Sequence, residues 1–282
     1  QYPNASSARA VSSPIAGSGP SGLAAAFYLR LLGHEVTVFE AQRKAGGMLR
    51  YSLPEYRLPK AILERELEIL EALGIAFRYE QAVGSDILIE QLQHDHDAVF
   101  LATGTWSPYR INIPDEEAPG VWHALEFLEQ VAVGGAPDIG AKTVVIGGGN
   151  AAIDSARTAL RLGSEVSVVY RRERKDMPAI PEEVEDAEAE GAQVVFFHSP
   201  KRIVRGRDGR VSAIECAVTE PGEFDASGRR KPVPTAETRS FECSTLIIAT
   251  GEKPDSDEFQ KAGIQVRDDS TVAVDWVSYA TQ

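Results

Sequence analysis

The chain has 282 residues, 43% of them hydrophobic, which suits about two domains with cores of their own. Its net charge of −13 and pI near 4.9 argue against a nucleic-acid-binding or anionic-membrane surface, and no apolar run approaches the ~20 residues of a membrane span. Gln1–Ser13 has neither the basic start nor the apolar core of a signal peptide, and the only two cysteines, Cys216 and Cys243, form no CxxC pair. A cytoplasmic protein without a disulfide framework is therefore expected, and the five histidines show no metal-ligand spacing, so no metal site is expected.

In chain order, Gln1–Ser13 reads as a polar lead-in, and its Asn4-Ala5-Ser6 sequon carries no meaning in a cytoplasmic protein. Ser12–Ala16 is a poor strand, because Pro14 cannot donate to a sheet ladder. Gly17-Ser18-Gly19-Pro20-Ser21-Gly22 then opens a helix that Gly33 stops, and a strand follows over Glu35–Glu40. Gly46–Pro59 is a long irregular loop just past that strand, where Gly46 and Gly47 let backbone approach a flat ligand and Arg50 and Arg57 reach its phosphates or ring. Ala61–Leu73 is an amphipathic helix with Ile62, Leu63, Leu67, Leu70 and Leu73 on one face. Ile75–Tyr79 is a strand, Ser85 and Asp86 cap a short helix through Leu92, and a buried strand, Ala98–Ala102, ends in Thr103-Gly104.

Ile111–Pro119 reads as an exposed proline-containing linker, the first domain crossing, and Ala124–Val131 as a helix. The strand Thr143–Ile146 enters the turn Gly147-Gly148-Gly149, a helix with Ala151, Ile153, Ala156, Ala159, Leu160 and Leu162 follows, Gly163 stops it, and Val166–Tyr170 is the next strand. Pro181 starts a helix over Glu182–Glu190 whose acids form a solvated face. Val194–Phe197, Arg202–Arg205 and Val211–Val218 read as strands, the last two joined at Asp208-Gly209, and Glu220–Pro234 as a polar excursion turning at Ser227-Gly228. Leu246–Ala249 is a strand ending in Thr250-Gly251, and Ile264–Val274 starts a strand pair.

Two strand–turn–helix–strand units stand out, with Gly17 and Gly147, Gly33 and Gly163, and Glu40 and Tyr170 each 130 residues apart. This is the context in which a glycine-rich turn binds a dinucleotide. The first glycine permits the tight turn, the second (Gly19 or Gly149) has no side chain to block a pyrophosphate, and the third position (Gly22 or Ala152) lets helix pack on strand. The free N–H groups and macrodipole of the helix N-terminus favour the diphosphate. Thr103-Gly104 and Thr250-Gly251 bring small residues to a ligand crevice at strand ends. The copies differ after the second strand. Glu40 is placed to accept hydrogen bonds from a ribose diol, so copy one suits FAD or NAD, whereas Arg171 and Arg172 suit a 2′-phosphate, so copy two suits NADP(H).

GGMLRYSLPEYRLPK (Gly46–Lys60), VIGGGNAAIDSARTALRLG (Val145–Gly163) and VVYRRERKDMPA (Val168–Ala179) resemble the flavoprotein family of the glutamate synthase small (beta) subunit, which also includes the flavin region of dihydropyrimidine dehydrogenase and adrenodoxin reductase-like proteins. The resemblance covers nearly the whole chain from Gly17. It implies an α/β fold with two Rossmann-like, glutathione reductase-like domains, the NADP domain inserted in the FAD domain. The expected boundaries are 1–110 for the first part of the FAD domain, 111–252 for the NADP domain and 253–282 for the return to a truncated FAD domain. On the family's pattern, Gly19, Pro20, Glu40, Met48 and Arg57 match FAD-contacting positions, to which the fingerprint adds Gly17, Ser21, Gly22, Gly47, Thr103 and Gly104. Gly149, Asn150, Ala151, Arg171, Arg172 and Gly251 match NADP-contacting positions, joined by Gly147 and Thr250.

The implied activity passes electrons from NADPH through FAD to an iron–sulfur protein or domain, a glutamate synthase large subunit being one such partner. No proton-transfer residue is nominated. The family's cysteine-rich region before the first fingerprint and its glycine-aspartate segment after the return strand are missing from the sequence, so a piece of a longer polypeptide that holds FAD weakly is expected. The rival expectation is a non-catalytic nucleotide-binding or electron-relay module.

Overall fold

A computed structural model describes residues 11–226 and 228–281; the sequon, most of the polar lead-in, and Ser227 of the expected turn lie outside the described residues. The chain forms two compact units, Gln1–Ser107 with Glu252–Gln282, and Pro108–Gly251.

The first unit is built on a parallel sheet ordered β3-β2-β1-β4, from β1 (Ser12–Ala16), β2 (Glu35–Phe39), β3 (Ala76–Arg78) and β4 (Phe100–Leu101). Its helices are α1 (Pro20–Leu31), α2 (Met48–Tyr51), α3 (Lys60–Ala72) and α4 (Ile89–Asp95). Ile15, Val36 and Val38 of the sheet pack with Ala26 of α1 and Leu63, Leu67 and Leu70 of α3. Those leucines recur at 3.6-residue spacing and supply the buried stripe of α3, while Ile62, expected on the same face, is 42% exposed. β5 (Ser107–Pro108) ends this stretch.

The second unit holds β6 (Val121–His123), α5 (Ala124–Ala132), β7 (Lys142–Ile146), α6 (Asn150–Arg161), β8 (Glu165–Val169), α7 (Pro181–Ala189) and β9 (Gln193–Val195). A meander follows in β10 (His198–Arg205), β11 (Val211–Phe224) and β12 (Arg230–Glu242), and then β13 (Thr245–Ile248). The main sheet is parallel and ordered β6-β13-β7-β8-β9. Strands buried on both faces read as continuous apolar runs, and both faces here are covered. One packs on α5 and α6 through Phe127, Leu128, Ala152, Ala156 and Ala159, and the other on the antiparallel meander through Ile203, Ile214 and Phe241. The return to the first unit is β14 (Glu252–Lys253) and α8 (Asp257–Lys261), whose Phe259 packs with Ile89 of α4 and with Ile264.

The internal repeat is residue-for-residue. β1, α1 and β2 and their counterparts β7, α6 and β8 have boundaries displaced by 130 throughout, and the strand registers correspond, Ser12 opposite Glu35 and Lys142 opposite Glu165.

Several local expectations are corrected. Ser12–Ala16 is an internal strand despite Pro14. The carbonyl of Val11 and the amide of Gly17 bond toward β2, and the carbonyl of Ala16 toward the chain just after β4. Alternation along the strand therefore turns the Pro14 nitrogen to the β4 side, where pairing starts only at Ile15, so no ladder bond is lost. The strand at Ala98–Ala102 reduces to Phe100–Leu101 on the edge of the sheet, with Phe100 41% exposed rather than buried. The helix expected from Ser85 starts at Ile89 after Leu88, while Asp86 accepts the Ala82 amide in a preceding turn. The Gly46–Pro59 loop contains the one-turn helix α2. Glu220–Pro234 is the extended tip of the β11–β12 ribbon, its cross-strand pairs continuing to Phe224 opposite Arg230.

The acids of α7 are not simply solvated. The buried Arg157 guanidinium donates to Glu183 and Glu190 and pairs with Asp186, and Arg161 donates to both oxygens of Glu190 at 2.6 and 2.8 Å. The Arg161 and then Arg157 hydrogen bonds pull the Glu190 carboxyl down to about 2. Because the folded value lies below the unfolded one, this pairing stabilises the fold above pH ~4.5 and its contribution fades as pH falls toward 2. Glu190→Gln should lower unfolding stability at pH 7 by about 1–3 kcal/mol, with the difference from wild type shrinking between pH ~4.5 and 2 in urea titrations. A pH-independent difference would refute the assignment.

Candidate functional site: two glycine turns at helix N-termini

Each repeat places a glycine turn between the end of its first strand and the N-terminus of a 12-residue helix. Gly17 has φ +104°, and an added Cβ there would lie 2.3 Å from the Ala102 carbonyl oxygen and 3.2 Å from Thr103 Cα. Gly147 has φ +145°, and its Cβ would lie 2.2 Å from the Ala249 carbonyl oxygen. Both conformation and packing demand glycine there. Thr103 is thus brought against the first turn, and the segment leading to Thr250 and Gly251 against the second. Thr250 Oγ1 donates to the Tyr109 carbonyl, and Gly104 and Gly251 take φ +74° and +106°. Gly22 packs with its Cα over the turn, where a Cβ would meet Gly17 O at 1.9 Å; its counterpart Ala152 carries a methyl and is fully buried.

The second glycines differ in kind. Gly19 and Gly149 have ordinary φ of −69° and −92°. A Cβ on Gly19 would meet nothing within 4 Å, and one on Gly149 only Pro178 Cγ at 3.9 Å. Neither backbone strain nor protein packing accounts for glycine at these two places, which lie at helix N-caps without a side-chain cap. The space that the missing side chains leave open adjoins unsatisfied N–H groups, the arrangement that binds phosphate. Pro20 and Ser21 open α1 at the surface, and Asn150 and Ala151 open α6. Asn150 is not the N-cap; its side-chain oxygen accepts the Ile180 amide at 3.0 Å and ties the Pro178–Pro181 loop beside the turn.

The two turns are braced by different chemistry at equivalent positions. In the first, Glu40 is 5% exposed and its Oε2 accepts the amide of Ser18 at 3.0 Å and the Ser18 hydroxyl, while Oε1 accepts the Gln42 amide at 2.8 Å. In the second, Gly148 replaces Ser18 and Tyr170 replaces Glu40. The ring lies where a Gly148 Cβ would be, 2.5 Å from its edge carbons, and its hydroxyl donates to the Asp176 carbonyl at 2.7 Å.

Gly46 and Gly47 bring the loop onto the first turn. Gly46 N–H donates to Ser18 O at 3.1 Å, and a Gly47 Cβ would lie 2.7 Å from Gly19 Cα. Met48 begins α2 directly after them. Arg57 stands in the turn closed by its amide on Pro54 O. Arg50, expected to face a ligand, is turned inward instead: it is 7% exposed, donates to Ala45 O and Glu64, and its Nη2 is buried without a hydrogen bond.

Arg171 and Arg172 follow β8 but are unlike. The Arg171 side chain is at the surface; desolvation by the surrounding protein, then the neighbouring Arg172, pulls its pKa below the ordinary value. Arg172 is 8% exposed, its Nε donating to Arg230 O at 2.7 Å and its Nη2 to Asp225 Oδ2 at 2.9 Å. The sequence reading missed both Ser18 as the partner of Glu40 and Asp225, 53 residues from Arg172, which had no local signal.

Cys216 and Cys243 are free, buried in the core under the meander, and pushed up to about 12, in each case chiefly by burial. Burial thus disfavours the thiolate, the reactive form, at both cysteines. Among the described residues no group of three or more His, Cys, Asp or Glu side chains could hold a metal ion, and no helix is long and apolar enough to cross a membrane.

Fold and turns together define a protein with two dinucleotide-binding domains. The chain belongs to the pyridine nucleotide-disulphide oxidoreductase family, whose pattern it matches over residues 14–278. It is 42% identical over 272 residues to the NADP(+)-dependent formate dehydrogenase subunit beta of Moorella thermoacetica, covering 95% of this chain and 38% of that one. It is 35% identical over 258 residues to the glutamate synthase [NADPH] small chain of Escherichia coli, covering 87% and 55%. The chain thus spans well under two thirds of these relatives. Mycobacterium tuberculosis FprA, solved in complex with NADPH, shares the fold at TM-score 0.76 and 23% identity, over 92% of this chain and 74% of that one.

The two kinds of glycine separate by mutation. Gly147→Ala should lower the unfolding free energy by about 1–3 kcal/mol, whereas Gly149→Ala should change it by less than about 1 kcal/mol, read as thermal midpoints. Equal losses would mean that Gly149 is a packing residue.

Proposed function

We propose that the chain is the dinucleotide-binding part of an oxidoreductase that carries electrons from NADPH through FAD to an iron–sulfur partner. The observation that carries this reading is the pair of in-register glycine turns, each with space open above its second glycine, followed by a carboxylate in one copy and arginines in the other. On this reading the first unit holds FAD, with the pyrophosphate over Gly17, Gly19, Pro20, Ser21 and Gly22 and with Glu40, Gly47, Met48, Arg57, Thr103 and Gly104 around it. The second holds NADP(H) through Gly147, Gly149, Asn150, Ala151, Arg171, Arg172, Thr250 and Gly251. The residues present fit both groups, since the room above Gly19 and Gly149 has no protein occupant.

When bound, the two cofactors supply the hydride chemistry. The protein's part is to bind and orient. The helix N-termini hold diphosphates. Glu40 keeps the first turn in shape through Ser18 and retains lone pairs for a ribose diol. Exposed Arg171 meets the 2′-phosphate that a carboxylate at that place would repel. An iron–sulfur acceptor is proposed because both thiols are buried and disfavoured as thiolates, and a cytoplasmic setting accords with two free thiols. A glutamate synthase large subunit is one acceptor of this kind.

The direct test is spectroscopic: anaerobic NADPH should bleach the visible flavin band of the FAD-loaded chain, and a band that persists with saturating NADPH would leave a non-catalytic nucleotide-binding module. Arg171→Ala should weaken NADPH by about 1.5–3 kcal/mol while barely changing NADH, measured by equilibrium titration. Equal loss for both nucleotides would remove the 2′-phosphate assignment. Cys216→Ser with Cys243→Ser should leave NADPH-driven reduction of a one-electron dye nearly intact in the folded, FAD-replete chain; loss of dye reduction there would reveal a thiol relay.

A further inference from the structure

We infer that the tip of the β11–β12 ribbon is part of the 2′-phosphate site, and that Asp225 is a positioning residue that sets NADP over NAD selectivity by holding Arg172. The inference rests on the proposed NADP reading of the second unit and extends it to a segment far from the glycine turn in sequence.

Both anchors of the Arg172 guanidinium come from this tip: the Arg230 carbonyl takes Nε, and Asp225 takes Nη2. Nε and Nη2 lie on one edge of the planar group, so Nη1, which donates to no described residue, is left for an incoming oxyanion. The described residues of the tip bond to one another. Asp225 Oδ1 accepts the Arg229 amide at 3.2 Å, the Asp225 amide donates to Arg229 O at 2.8 Å, and the Gly228 amide to Asp225 O at 3.0 Å. Arg230 donates to Gly222 O and lies 4.6 Å above the Phe224 ring, which gives a use to an aromatic side chain 64% exposed. The base of the ribbon grips the neighbouring arginine, Thr219 Oγ1 donating to the Arg171 carbonyl at 2.8 Å. Arg171, Arg172, Arg230 and Lys231 then line one small cleft with Glu173, Asp176 and Glu220.

Asp225 has two opposed effects on a phosphate in this cleft. Its charge repels the phosphate, but that charge is already met by Arg172 and by the Arg229 amide. Its hydrogen bond freezes a side chain with four rotatable bonds, whose ordering would otherwise weaken binding. Preorganisation of this kind outweighs the repulsion, because it holds Nη1 where the phosphate arrives.

The test titrates the whole chain with adenosine 2′,5′-bisphosphate and with 5′-AMP, which lacks the 2′-phosphate, by calorimetry; neither needs flavin. Asp225→Ala should weaken the bisphosphate roughly 5- to 20-fold and leave 5′-AMP unchanged, and Asp225→Glu should recover most of the loss. Unchanged 5′-AMP binding certifies the fold. If the Ala variant loses 5′-AMP as well, Asp225→Asn, which keeps an acceptor for the Arg229 amide, carries the same expectation in smaller degree. An unchanged ratio of the two affinities would overturn the inference, and so would tighter bisphosphate binding, which would make Asp225 a competitor of the phosphate for Arg172. If wild type and Arg171→Ala both bind the two ligands equally, the 2′-phosphate reading itself falls; if Arg171→Ala loses the discrimination and Asp225→Ala keeps it, only the role of the ribbon falls.

Discussion

The constraint on which everything else rests is the distance at which a helix N-terminus is laid over the end of a strand. At Gly17 and Gly147 the backbone approaches a neighbouring carbonyl so closely that a methyl group would sit about 2.3 and 2.2 Å from oxygen. Only a residue without Cβ, at positive φ, closes the chain that tightly. That closure aims the first amides of α1 and α6 outward from the strand ends, and the space beyond Gly19 and Gly149 follows from it. A looser turn would leave the same residues in place and scatter the donors.

Within this shared frame the two copies diverge through single positions. Ser18 and Glu40 brace the first turn by hydrogen bonds to a buried carboxylate; Gly148 and Tyr170 brace the second by packing a ring against bare backbone. The exchange has a chemical consequence. Keeping a carboxylate at the strand end suits neutral hydroxyls, and replacing it with a ring removes a negative charge from the place where Arg171 and Arg172 emerge. One pair of substitutions thus changes both the bracing of the turn and the charge at the strand end.

The environments of the sheets differ as well. In the second unit five strands are covered on both faces, which is why Cys216, Cys243 and Thr245 can be fully or nearly buried there. The parallel sheet of the first unit has four strands, with exposed Phe100 on the edge strand β4. In the second unit Arg157 and Arg172 are both buried against carboxylate or carbonyl partners from elements remote in sequence, because a guanidinium removed from water is costly unless its donors are paired.

The repeat, the order of strand, turn and helix in each copy, and the residues of both glycine turns are all written in the amino-acid sequence. Those features are local: a positive φ, a helix period and a small residue at a close approach are each encoded within about 30 residues. The asymmetry of Glu40 against Arg171 and Arg172 is legible for the same reason, since these follow directly on the second strand. Pro14 misled locally, because whether its missing N–H costs a ladder bond depends on where β4 begins to pair. The acids of α7 looked solvated until Arg157 was brought beneath them. Arg50 looked available until α3 presented Glu64 to it. Asp225 was silent because its meaning lies in a contact between the ribbon tip and Arg172 after β8, 53 residues away. Which charges face a partner and which face open space was left to the folded chain, since burial and pairing are set by elements distant in sequence.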